Sequence, residues 1–144
     1  MNILSVISEK IKGSVLFNGT VGGTGDAKGI KPAGSNGVVI LIAVTMANAA
    51  DLVLSLVTAD DADGTTPIAL TEVVPVFLEN VRQASDAKAY TFTDADSVNL
   101  LAFAVPSILI PTDKYLCLSF ANSNDANIIS AIALDDVYQE TGEA

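Results

Sequence analysis

The chain has 144 residues and a formal net charge of −10, with 17 acidic groups against seven basic ones, no histidine and one cysteine. A chain of this length folds as one domain and buries enough surface to need neither disulfide nor metal. Its acidity argues against nucleic-acid phosphates as partners. Lacking histidine, it lacks the commonest general base and metal ligand, and no run reaches the ~20 apolar residues of a membrane-spanning helix.

In chain order, MNILSVISEKIKG places Lys10 and Lys12 after its apolar part, the reverse of a secretory leader. Ile3, Leu4, Ile7 and Ile11 partly meet helical spacing, which fits a short helix or an extended arm equally. A strand-like run GSVLF (13–17) follows, then the glycine-rich stretch NGTVGGTGDAKGIKPAGSNG (18–37), a connection of a length that is usually functional or disordered. Next comes GVVILIAVTM (37–46), whose core Val38–Val44 is apolar at every position and reads as a strand buried on both faces.

DLVLSLVTA (51–59) alternates, with Leu52, Leu54 and Leu56 on one face and Val53, Ser55 and Val57 on the other. PIALTEVVPVFL (67–78) is split by Pro75, which cannot donate to a ladder. AYTFTD (89–94), SVNLLAFAVP (97–106), DKYLCLSFA (113–121) and NIISAIAL (127–134) complete the set. Eight short strands without intervening helices predict an all-β, antiparallel β-sandwich of jelly-roll-like form. Residues 1–36 are expected to be an N-terminal arm and flexible glycine-rich segment, and residues 37–144 the sandwich.

Charge is unevenly distributed: residues 1–31 carry +2 and residues 32–144 carry −12. The lysines of the first segment (Lys10, Lys12, Lys28 and Lys31) are therefore the candidates for contact with an acidic partner.

The stretch VTADDADGTTPIAL (57–70) tests for a calcium loop. With Gly64 at the sixth position of an EF-hand loop, Asp61 and Asp63 fall on ligand positions, but Ala59 and Leu70 occupy the first and twelfth, where carboxylates are required. A hairpin turn using Asp63-Gly64 is the expected structure, with a weak cation site shared with Asp94 and Asp96 as the alternative. GGTGDAKG misses the dinucleotide spacing by one residue and lacks the Gly-Lys-Ser/Thr of a phosphate loop. Cys117, between Leu116 and Leu118, reads as an inert core thiol. The Asn18-Gly19-Thr20 sequon is read as coincidence. No catalytic, cofactor or metal residues are assigned, and the chain is not expected to be an enzyme.

One feature remains in excess: apolar strand surface. A small sandwich has one inner face per sheet, so a strand apolar on both faces implies a partner. In SVNLLAFAVP the set Leu101, Phe103 and Val105 is expected at the interface of a symmetric homo-oligomer.

The segments TADDADGTTPIAL and AYTFTDADSVNLLAFAVPSILIPTDKYLCLSFANSNDANIISAIALDDVYQ, together spanning roughly Leu52 to Gln139, resemble small virion proteins of tailed bacteriophages. The similarity lies in pattern and order: the acidic turn, YTFTD, P-x-D-K-Y-L-x-L-S-F, N-S-N-D-A-N-I-I-S-A and the closing tyrosine. Such proteins are similar to jelly-roll decoration, or cement, proteins. The resemblance implies a homotrimer on the outer surface of an icosahedral capsid, bound to the major capsid protein and without contact to nucleic acid or membrane. A head-fibre or adhesion module binding host-surface glycans is the alternative function for the same fold.

Overall fold

The computed structural model describes residues 11–20, 26–32, 36–46, 51–93, 99–122 and 127–136. Eleven strands follow in chain order: β1 (Ile11–Thr20), β2 (Asp26–Ile30), β3 (Val38–Thr45), β4 (Leu52–Ala59), β5 (Ile68–Ala69), β6 (Val76–Leu78), β7 (Val81–Arg82), β8 (Ala89–Phe92), β9 (Leu100–Val105), β10 (Tyr115–Asn122) and β11 (Ile128–Asp136). The helical content among the described residues is a single 3₁₀ turn, Ser107–Leu109. All pairings are antiparallel.

The strands make two sheets. One has six strands in the order β1-β11-β3-β9-β6-β7, and the other runs β2-β10-β4-β5, with β8 also paired to β4. β8 and β5 share that edge of β4 end to end, β8 opposite Leu52–Ser55 and β5 opposite Val57 and Thr58. The chain thus crosses repeatedly between layers, and the inner faces meet in one core, an all-β sandwich.

Period-two alternation builds that core. Val38, Ile40, Ile42 and Val44 of β3, Leu101, Phe103 and Val105 of β9, and Ile129, Ala131 and Ala133 of β11 point inward from the six-stranded sheet. Leu52, Leu54 and Leu56 of β4, Phe92 of β8, and Leu116, Leu118 and Phe120 of β10 meet them from the other side. A β-bulge between Val15 and Phe17 lets two neighbours, Leu16 and Phe17, reach the core while Val15 faces outward. The Phe17 ring then lies 4.7 Å from that of Phe120, tying β1 to the opposite sheet.

Two expectations need correction. Residues 11–20 and 26–30 are not an arm: β1 pairs with β11 from Ile11 to Thr20, and β2 with β10 from Asp26 to Ile30. Glycine lets β2 lie flat here, because a Cβ at Gly29 would come within 2.0 Å of the Leu116 carbonyl oxygen and 2.5 Å of the Cys117 sulfur. The division expected at residue 36 therefore falls inside the sandwich. The second correction concerns β3, whose outward set is not buried: Val39 and Leu41 are half-buried and Ala43 is exposed. Pro75 does interrupt its run, with β5 before it and β6 after it. The β6–β7 hairpin turns at Glu79 and Asn80, both at positive φ (49° and 66°), the conformation that matches the twist of the flanking strands.

Candidate interaction surfaces

The acidic stretch is a hairpin turn, as expected, joining β4 to β5. Asp61 organises it. One carboxylate oxygen accepts from the Asp63 amide (2.9 Å) and the Thr65 amide (3.2 Å), and the other from the Thr65 hydroxyl at 2.6 Å. The Gly64 amide donates back to the Asp61 carbonyl and the Asp60 amide to the Thr65 carbonyl. Gly64 has φ +79° and Thr66 φ +53°, so the left-handed residues of the turn are these two rather than Asp63 and Gly64.

The other two carboxylates are tied outward. Lys28 on β2 donates to Asp63 at 2.9 Å, and Lys114 to Asp60. Hydrogen bonding to Lys114, then to Thr66, holds the Asp60 carboxyl below its ordinary range, and Lys114 is raised in turn by the same contact with Asp60. Asp61 is lowered by the Thr65 hydroxyl and amide. Each aspartate thus has its own partner, and among the described residues no group of three or more His, Cys, Asp or Glu side chains converges as metal ligands would. Asp94 and Asp96, the alternative cation partners, lie outside the described residues.

Behind this turn sits Cys117. The turn folds back over the outside of β10 until the Gly29 amide donates to the Ala62 carbonyl at 3.0 Å. Beneath it Val57, Ala59 and Cys117 form a small second cluster against Tyr115, on the outer face of the sheet rather than in the main core. The thiol lies 3.6 Å from the Asp61 carbonyl. Burial, and then the negative charges of Asp61 and Asp63, push it up to about 11. A thiol so held is protonated at neutral pH and a poor nucleophile.

The six-stranded sheet presents a different outer face. Register places its outward residues in rows across the strands. The central row runs Val15, Ile132, Leu41, Ala102, Phe77, Arg82 from β1 to β7. On one side lies Gly13, Leu134, Val39, Ala104, and on the other Asn18, Ser130, Ala43, Leu100. Charge enters at the far edge: Arg82 pairs with Asp86 at 3.3 Å, and beside Leu100 the Glu79 carboxylate accepts from the Asn99 (2.9 Å) and Leu100 (3.1 Å) amides. Val15 is 73% exposed.

Leu101, Phe103 and Val105 are not on this face. They are 0%, 0% and 2% exposed and belong to the core, so an interface cannot use them without opening the sandwich. The outward set of β9 is Leu100, Ala102 and Ala104. The size of the residues distinguishes the two sets: the bulkier one, with Phe103, fills the interior, and the alanines face out.

The candidate basic residues separate as well. Lys10 lies outside the described residues. Lys28 is engaged with Asp63. Lys12 is exposed on β1 and stands opposite Asp135 in register, while Lys31 is exposed just after β2. Asp135 pairs onward with Val38, and Val38 with Val105, so Lys12, Gly37 and the Pro106–Lys114 connection share one end of the sandwich, and Lys31 joins them beside Lys114. An open groove of about 310 Å³ at that end is lined by Lys31, Pro32, Ser107, Ile110, Pro111, Thr112 and Lys114. Lys114, which the charge pattern of the first 31 residues did not single out, joins Lys31 there. Against protein-family models, curated proteins and solved structures, the chain has no match.

Proposed function

We propose that this protein is a phage capsid decoration, or cement, protein: it binds the outside of an icosahedral head as a homo-oligomer and stabilises the shell by adhesion. The observation that carries the proposal is the apolar centre of the outer face of the six-stranded sheet, where Ile132, Leu134, Val39, Leu41, Ala102 and Ala104 stand side by side, which gives an otherwise acidic molecule a surface suited to holding another protein. Monomeric proteins rarely expose contiguous apolar patches beyond a few hundred Å². The sequence resemblance supplies the capsid context.

Strand order supports the jelly-roll form. Counting β5 and β8 as one strand and setting the β6–β7 hairpin aside leaves eight, with sheet orders first-eighth-third-sixth and second-seventh-fourth-fifth. Two four-stranded sheets with these crossovers fit the paired Greek keys of a jelly roll. The end that bears the exposed Lys12 and Lys31, with Lys114 in the groove and paired to Asp60, is the surface we assign to the major capsid protein. Individually weak contacts gain strength when repeated over a lattice by an oligomer, through effective concentration.

The test is binding of purified protein to expanded heads of the cognate phage, with the copy number per virion measured by quantitative mass spectrometry. Hundreds of copies, and loss of binding in a Lys12→Glu/Lys31→Glu double variant at unchanged fold, are expected. Absence from the virion, or a dozen copies at one vertex, rejects decoration. Truncation of residues 1–30 is not a usable test, since it removes β1 and β2 from the sheets.

A further inference from the structure

The sequence contains three pairs in which glycine directly follows asparagine or aspartate: Asn18-Gly19, Asn36-Gly37 and Asp63-Gly64. In such a pair the glycine nitrogen can attack the preceding side-chain carbonyl carbon, because no side chain of its own shields it. The N–Cγ bond forms as ammonia leaves asparagine, or as water leaves aspartic acid, and a five-membered succinimide results. Water then opens the ring at either carbonyl, giving aspartate or iso-aspartate. The attack needs the backbone to swing the nitrogen under Cγ, so a pair held in hydrogen-bonded structure is protected until that structure opens.

The fold holds two of the three. Asn18 and Gly19 lie within β1, opposite Ser130 and Ile129. Val44 sends its amide to Asn99, so its ladder partner Ile129 turns its own backbone groups toward β1, where they meet Gly19. In the acidic turn the Gly64 amide donates to the Asp61 carbonyl at 3.2 Å, and the Asp63 carboxylate accepts from Lys28 at 2.9 Å. Asn36-Gly37 is placed differently. Asn36 is exposed in a bend, and the ladders of β3 with β11 and with β9 both begin later, at Val38. Glycine is also required at the second position: Gly37 has φ +138°, and a Cβ there would stand 2.7 Å from the Val105 carbonyl oxygen. We propose that Asn36 is a site of spontaneous deamidation, the one pair of the three that the fold leaves open to cyclisation.

The product alters the end of the sandwich that Gly37 shares with Lys12 and Lys31. A neutral amide becomes a carboxylate in a molecule already at −10, and iso-aspartate adds a carbon to the main chain just ahead of the close passage at Val105. The chemistry is independent of the function proposed above. Only its consequence there, a slow loss of attraction for an acidic capsid surface, rests on that reading.

The experiment is ageing of the purified full chain in heavy-oxygen water at mildly alkaline pH, followed by peptide mapping. Ring opening leaves one solvent oxygen at each reacted site, so deamidation of asparagine and isomerisation of Asp63 are both read. In the native protein, label at Asn36 is expected to accumulate at least roughly tenfold faster than at Asn18 or Asp63. In denaturant the rates of the two asparagines are expected to converge. Equal native rates, or slower labelling at Asn36, overturn the inference. A gap that persists unchanged in denaturant also overturns it, by assigning the difference to flanking residues and not to the fold. No capsid enters the measurement, so its failure is distinct from failure of the adhesive function.

Discussion

The two sheets of this sandwich treat their outer faces in opposite ways. On the sheet containing β10 and β4, the outward residues Val57, Ala59 and Cys117 are covered by the β4–β5 turn, which Lys28 and Lys114 strap down from either side. On the six-stranded sheet, the rows around Leu41, Ala102 and Ile132 have no such cover among the described residues. Polar groups therefore finish one face within the chain, and the other is left apolar. A local fold can satisfy a patch of three small residues with one turn. A six-strand face is too broad for one turn to cover.

The strongest way to break this comparison is to test the two sides of β9 against each other. Phe103→Ala is expected to cost about 3–5 kcal/mol in chemical denaturation, because it opens a core cavity. Ala102→Ser, one residue away on the outer side, is expected to cost less than about 0.5 kcal/mol, as surface changes usually do. Similar losses from both would mean that the inner and outer sets are misassigned.

On the covered face, Gly29→Ala is expected to destabilise by about 1–3 kcal/mol, since the added methyl collides with the Leu116 carbonyl oxygen and the Cys117 Cα as well as with the buried Cys117 sulfur. A neutral effect would place β2 further from β10 than the register requires.

Opening the cover without touching the core is the next test. Asp61→Ala removes the acceptor for three donors in the turn, and labelling of Cys117 by a soluble thiol reagent is expected to accelerate roughly tenfold through local opening. Lys28→Ala, which removes one exposed ion pair, is expected to change the melting temperature too little to measure.

The pH dependence has two limbs. Cys117 titrates near 11 when folded, above its ordinary value, so its contribution to stability is complete below about 8.5–9 and is lost as pH rises toward about 11. Cys117→Ala should flatten that alkaline slope. Asp60 and Asp61 are lowered, so theirs is present above the ordinary carboxylate range near 4 and is lost as pH falls through their depressed values. Thiol labelling across both limbs, corrected for thiolate fraction, reports whether the turn lifts first.

Much of the architecture was legible from residue order alone. Each of the eight strand-like runs contains at least one strand, and the inward leucines of β4 follow directly from alternation. Asp61 through Gly64 reads as a turn because a short carboxylate and a glycine bend the backbone at low cost, and the missing first and twelfth ligands already argue against calcium. β2 was hidden, since AKG within a glycine-rich stretch carries no apolar alternation; its place comes from the ladder with β10 and the tight approach at Gly29.

The amino-acid sequence by itself determined the class: short alternating apolar runs, broken by turn residues and free of helical stripes, can bury their surface only as paired sheets. Which parity of β3 and β9 points inward was decided by tertiary structure. Both parities are apolar, and only the facing layer, with room for Phe103 on one side and not the other, distinguishes core from exposed face. The closure of the acidic turn over Cys117 was decided there too, because Lys28 and Lys114 reach it from positions distant in sequence.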